Sequence, residues 1–123
     1  MSPTLKIIGI VLFYIVTIGT GILMHRSGRP FNPLISVLHK LIALAVVVAT
    51  ILLVRSGVMG GTLSVPAIVL IAVTFLLLIS LFVTGALLSG EGESSKPVLL
   101  LHNLATVLAP VGGVIALLLC FKS

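Results

Sequence analysis

The sequence predicts an all-α integral membrane protein, an antiparallel up-down four-helix transmembrane bundle built from two helical-hairpin repeats. Three observations carry that prediction. The apolar set AVILMFWYC fills 59% of the 123 positions and DEKR only 7%, against roughly 25% charged in an average soluble domain. Four apolar runs, at residues 5–24, 34–54, 65–88 and 98–121, each match the length of about 20 residues that crosses a bilayer. Finally, a shift of 64 residues lays the second half of the chain on the first.

Each run is announced by a polar residue and an early proline: Ser2-Pro3, Asn32-Pro33, Ser64-Val65-Pro66 and Ser95-Lys96-Pro97. A missing N–H costs nothing in the first helical turn, so these four starts support one another. The first run is expected to be a retained helix and not a signal peptide. Its apolar stretch is too long, its n-region holds only Lys6, and no A-x-A site follows. Short connections at residues 25–33 and 89–97 make consecutive helices antiparallel neighbours. The whole chain, 1–123, then reads as one transmembrane domain with repeat halves at about 3–60 and 65–121. An even number of spans puts both termini on one side and makes the second and fourth helices parallel. Lys6, Arg55 and Lys122 fall on that side, and Arg26, Arg29, Lys40 and Lys96 on the other, so the basic residues leave orientation undecided. Pro110, followed by Gly112 and Gly113, is expected to kink the fourth helix.

Charge and cysteine content narrow the chemistry. Glu91 and Glu93 are the only acids and Asp is absent, which leaves no partner for a paired-carboxylate mechanism or a Ser-His-Asp triad. The net charge of +5 is spread over the ends of the apolar runs and forms no basic face, so nucleic acid is not an expected partner. One cysteine, Cys120, makes no internal disulfide, and without C-x-x-C-H covalent haem attachment is excluded. Cys120 reads as an apolar filler.

The repeat aligns Thr20-Gly21-x-Leu23 with Thr84-Gly85-x-Leu87, Gly28 with Gly92 and Pro33 with Pro97. After a one-residue gap, Leu38-His39-x-Leu41 meets Leu101-His102-x-Leu104. His39 follows Pro33 by six residues and His102 follows Pro97 by five, depths of ~9 and ~7.5 Å into their helices. On parallel, diagonally opposed helices the two imidazoles would face each other through the core. Ionisable residues inside spans mark functional sites, and imidazole is both the commonest metal ligand and a usual haem axial ligand. A noncovalent haem b with His39 and His102 as axial ligands is the expectation, although imidazole would ligate a chlorin equally well.

The surroundings of the histidines fit. Thr20-Gly21 and Thr84-Gly85 lie at about the same depth, and glycine is what a helix needs where a flat macrocycle approaches its backbone. Ala105, Thr106, Ala109 and Gly113 share the face of His102, and Ala43, Val46 and Thr50 that of His39. Small residues also serve helix–helix contact in membranes, which is the simpler account of that stripe. Arg26, Arg29, Lys40 and Lys96 cluster where haem propionates would emerge. Lys40 opposes the dipole of its own helix, so an anionic partner would explain it. The competing account is snorkelling to lipid phosphates. His25 has Ser89 as its repeat counterpart and is expected in the first loop as a solvated interfacial residue, with membership of a three-histidine metal site as the sharper alternative.

An arrangement of four membrane helices with Leu38-His39-Lys40-Leu41 and Leu101-His102-Asn103-Leu104 resembles the b-type cytochromes of the cytochrome b561 kind. The resemblance implies a bis-histidine haem that passes single electrons, commonly with a quinone pool. Those bundles usually carry two haems, one near each face, whereas the opposite half of this chain has no histidine. One haem near one face suits a quinone-side electron relay or a haem-bearing subunit among other membrane or redox subunits, or in a homo-oligomer, in a prokaryotic cytoplasmic membrane. The runner-up is a cofactor-free accessory or assembly subunit whose histidines are hydrogen-bonded across the core. A small multidrug or ion transporter comes third, because proton-coupled exporters need an intramembrane carboxylate and both glutamates lie in a Gly/Ser loop.

Overall fold

The computed structural model describes residues 1–28, 30–90 and 95–122. Among them are four α-helices, α1 (Pro3–Ser27), α2 (Pro33–Met59), α3 (Val65–Leu88) and α4 (Lys96–Lys122), and no strand. Each is long and apolar enough to cross a membrane. They start where the polar-proline signals put them. Ser2 Oγ accepts from the Leu5 amide at 3.3 Å, Ser64 Oγ from the Ala67 amide at 3.4 Å and Asn32 Oδ1 from the Leu34 amide at 2.9 Å. These side chains satisfy amides that have no partner inside the helix.

Two helix ends depart from the expected boundaries. Helix α1 runs to Ser27, so His25 and Arg26 occupy its last turn and not the first loop. Hydropathy registers only the hydrocarbon-embedded part of a helix, whereas 25 residues span about 37 Å and reach into the headgroup layer. Cations in a last turn also complement the carbonyl end of the helix. Gly28, at φ 74°, then closes α1 by donating its N–H to the His25 carbonyl at 3.4 Å. A side chain at that φ would meet its own backbone, so the stop needs glycine. Helix α2 similarly continues five residues past its apolar run, to Met59. Helix α4 carries Pro110 in its interior and continues on both sides of it.

The chain forms two compact units, Met1–Met59 and Gly60–Ser123. In the first, α1 and α2 pack antiparallel. Lys6 Nζ near the start of α1 donates to Ser56 Oγ near the end of α2 at 3.2 Å, while Thr20 near the end of α1 meets His39 near the start of α2. The second unit pairs α3 with α4 in the same sense, through Thr84 and His102. Ten residues back along α3 and ten on along α4, Thr74 lies against Gly112.

Burial repeats from one hairpin to the other. Ile10 and Tyr14 are the buried residues of α1, and their counterparts 64 positions on, Thr74 and Leu78, are buried in α3. Val46, Thr50 and Gly57 are buried in α2, and 63 positions on Ala109, Gly113 and Cys120 are buried in α4. The same two offsets align the Thr-Gly and His motifs, so the internal repeat extends to packing. Large apolar side chains such as Leu12, Leu52, Leu76 and Val107 point outward, 57% to 67% exposed. That distribution suits a lipid solvent, in which apolar residues gain nothing by turning inward and close approach of small residues holds helices together.

Candidate functional site

The residues singled out by the repeat meet inside each hairpin. Thr20 Oγ1 lies 2.9 Å from His39 Nδ1, and Thr84 Oγ1 lies 2.8 Å from His102 Nδ1. Each histidine stands in the first third of its helix and reaches across to the last third of the preceding one. The threonine ends up opposite because antiparallel helices joined by a short connector place equal distances from that connector side by side. Both imidazoles are half-buried; Thr84 is buried and Thr20 half-buried.

The glycines belong to the same contacts. A Cβ built on Gly21 would stand 3.2 Å from His39 Cε1, and one on Gly85 would stand 3.5 Å from His102 Cε1. The open side of each glycine is thus occupied by the imidazole of its own hairpin. A threonine that holds Nδ1 and a glycine that admits the ring edge form one clasp, present twice. The tighter distance at Gly21 puts His39 closer to the helix it crosses.

Hydroxyl groups in these helices follow a common rule, donating to a carbonyl three or four residues earlier. Thr17 donates to Phe13, Thr50 to Val46 and Thr106 to His102, at 2.7, 2.7 and 2.8 Å. The clasp threonines do the same. Thr20 reaches the Thr17 carbonyl at 2.9 Å, and Thr84 reaches the Ser80 carbonyl at 2.7 Å. Two buried hydroxyls stand apart. Among the described residues, Thr74 Oγ1 and Tyr14 Oη have no hydrogen-bond partner. Tyr14 faces the Thr50 hydroxyl without closing a bond to it.

Arg26 is exposed in the last turn of α1, Lys40 is exposed beside His39 in α2, and Lys96 is exposed as the first residue of α4. These cations stand at the same end of their own hairpin as its histidine. Arg29 lies outside the described residues, as do Glu91 and Glu93. His25 is exposed. Among the described residues no three His, Cys, Asp or Glu side chains come together as a metal cluster. Of the small residues on the His102 face, Ala105, Ala109 and Gly113 are buried and Thr106 is half-buried; on the His39 face Val46 and Thr50 are buried.

Sequence reasoning passed over Tyr14 and Thr74. Both differ from their repeat counterparts, Leu78 and Ile10, so a search for matching residues discards them. A signal did exist for Thr74, since equal steps from Thr84 and His102 bring it opposite Gly112. The donor arrangement of the clasps suits iron ligation, in which an imidazole binds through one nitrogen while the other is held by a hydrogen-bond partner. Compared with protein-family models, with characterised proteins and with solved structures, the chain finds no match.

Proposed function

We propose that this chain is a membrane-embedded electron-transfer protein, or the haem-bearing subunit of a larger redox complex, in which His39 and His102 provide the iron ligands of one haem b. The observation that carries the reading is the duplicated clasp, with a threonine hydroxyl on Nδ1 in each hairpin at 2.9 and 2.8 Å. Ligation through Nε2 calls for a partner on Nδ1, which fixes ring orientation and raises the basicity of the ligating nitrogen. Haem b supplies one-electron chemistry when bound, and two imidazoles leave its iron without an open position, which favours electron transfer over oxygen chemistry. Arg26, Lys40 and Lys96 provide positive charge at the histidine ends of the hairpins for the two propionates. The resemblance to cytochromes of the b561 kind suggests quinone as the electron partner, and a prokaryotic cytoplasmic membrane is the location we propose.

One visible spectrum, oxidised and then dithionite-reduced, tests the reading, followed by pyridine haemochrome content in three variants. His39→Ala and His102→Ala are each expected to lose the low-spin spectrum or the haem itself. His25→Ala should keep both. Low-spin spectra unchanged in His39→Ala and His102→Ala would sink the ligand assignment.

A second reading, a cofactor-free accessory or assembly subunit, is favoured by the same hydrogen bonds. Each imidazole already has a partner within its own hairpin, as a purely structural histidine would. A wild-type protein that stays colourless with excess haem b puts this reading in front.

A further inference from the structure

We infer that Thr20 and Thr84 are positioning residues that fix the tautomer of the two imidazoles, each hydroxyl accepting the Nδ1–H and leaving Nε2 as the lone-pair nitrogen. A threonine hydroxyl has one proton. The distance to the helix carbonyl decides where that proton goes. Thr84 Oγ1 stands 2.7 Å from the Ser80 carbonyl oxygen, and Thr20 Oγ1 stands 2.9 Å from that of Thr17. Both separations lie within the range of an O–H···O hydrogen bond, and the carbonyl has no hydrogen to give. The hydroxyl proton is therefore spent on the helix backbone, and the contact with Nδ1 needs a second proton, which the ring must bring. Were the hydroxyl to donate to Nδ1 instead, each site would hold an acceptor–acceptor contact at 2.7 or 2.9 Å in a low-dielectric setting.

Hydrogen-bond donation thus runs in one direction along each clasp, from imidazole N–H to threonine oxygen and from threonine O–H to helix carbonyl. Thr20 ends on the carbonyl three residues back, and Thr84 on the one four back with a longer contact of 3.3 Å to the Leu81 carbonyl, yet both deliver the same tautomer. In a chain with haem bound, this is the form an iron ligand needs. That link rests on the function proposed above, whereas the tautomer belongs to the haem-free chain.

The test is nitrogen-15 NMR of the full chain in detergent, labelled at histidine and kept at about pH 8.5, where imidazole is neutral. Wild-type His39 and His102 are expected to give a pyrrole-type signal at Nδ1 and a pyridine-type signal at Nε2, with exposed His25 as the internal standard. Thr20→Val should move His39 alone toward the Nε2–H form, and Thr84→Val should move His102 alone. Thr20→Ser and Thr84→Ser keep the hydroxyl and should restore the wild-type pattern. Each valine variant should also bind haem b about 10- to 100-fold more weakly, the usual cost of removing such a partner. Rings that carry their proton on Nε2 in the wild type overturn the inference. So do valine variants of full helical content whose histidine signals do not move. A wild type with Nδ1–H rings that takes up no haem b upholds the tautomer assignment and removes the proposed function. Haem bound equally well by wild type and both valine variants overturns the positioning role while leaving the haem reading in place.

Discussion

Between its clasp and its far end, the hairpin Met1–Met59 buries Ile10 and Tyr14 on one helix and Thr50 on the other, whereas Gly60–Ser123 buries Thr74 and Leu78 opposite Gly113. These are the same positions under the repeat, with the polar group moved one turn along the helix. In the first hairpin a long side chain bridges the gap. Tyr14 reaches Thr50, which lies further along α2 than equal steps from the clasp would predict, because side chains lean toward the N-terminus of their own helix. In the second, Gly112 lets the backbone approach until Thr74 Oγ1 would stand 3.2 Å from an added Cβ. Helix–helix contact can thus be met by reach or by close approach, and the two hairpins use one each. The threonine–histidine contact is the same in both, which sets it apart from packing alone.

That comparison can be broken most forcefully at the glycines. Gly21→Leu and Gly85→Leu each drive a side chain into the imidazole, and overpacking of this kind costs about 1–3 kcal/mol. Thermal unfolding in detergent, followed by helical circular dichroism, should show both variants destabilised, and under the proposed haem reading haem content should fall in each. A loss at one glycine only would mean that the two clasps are not equivalent.

The buried hydroxyls come next in size. Thr74→Val and Tyr14→Phe remove groups that have no partner, and each is expected to raise stability by about 0.5–1 kcal/mol, modest because a membrane-inserted unfolded state also lacks water. Thr50→Val removes a hydroxyl that already bonds the Val46 carbonyl and should change little. If Tyr14→Phe instead destabilises, reach in the first hairpin depends on the hydroxyl and not on the ring.

Smaller still is the contrast between alanines. Gly85→Ala adds a methyl group at ordinary contact distance, 3.5 Å from His102, so it should gain the roughly 0.5–1 kcal/mol that alanine holds over glycine in a helix. Gly21→Ala meets His39 Cε1 at 3.2 Å and should forfeit that gain while shifting the His39 ring signals. The order of the two melting temperatures is the measurement. His25→Ala, on an exposed residue, should stay within about 0.5 kcal/mol of wild type.

Much of this was legible in the chain itself. Apolar runs and their Ser-Pro or Asn-Pro starts gave four helices, because a bilayer imposes length and the first turn tolerates proline. The Thr-Gly and His motifs gave the depth of the site. What they could not give was the partner of each glycine. Depth is a property of one helix, whereas the neighbour of Gly21 depends on how α1 and α2 rotate against each other, and a flat ligand and a histidine ring make the same demand on backbone clearance. The end of α1 was misplaced for a different reason. His25 and Arg26 are polar, and hydropathy ends at the hydrocarbon boundary although hydrogen bonding along the backbone does not.

The burial of Tyr14 also has a spectroscopic side. The chain has one tyrosine and no tryptophan, so ultraviolet emission beyond that of phenylalanine originates at one point, in the middle of α1. Quenching and anisotropy of that emission report on Met1–Met59, while the far-ultraviolet signal of the helices reports on both hairpins. Loss of the two signals at different temperatures would time the opening of one hairpin against the other without any label being introduced.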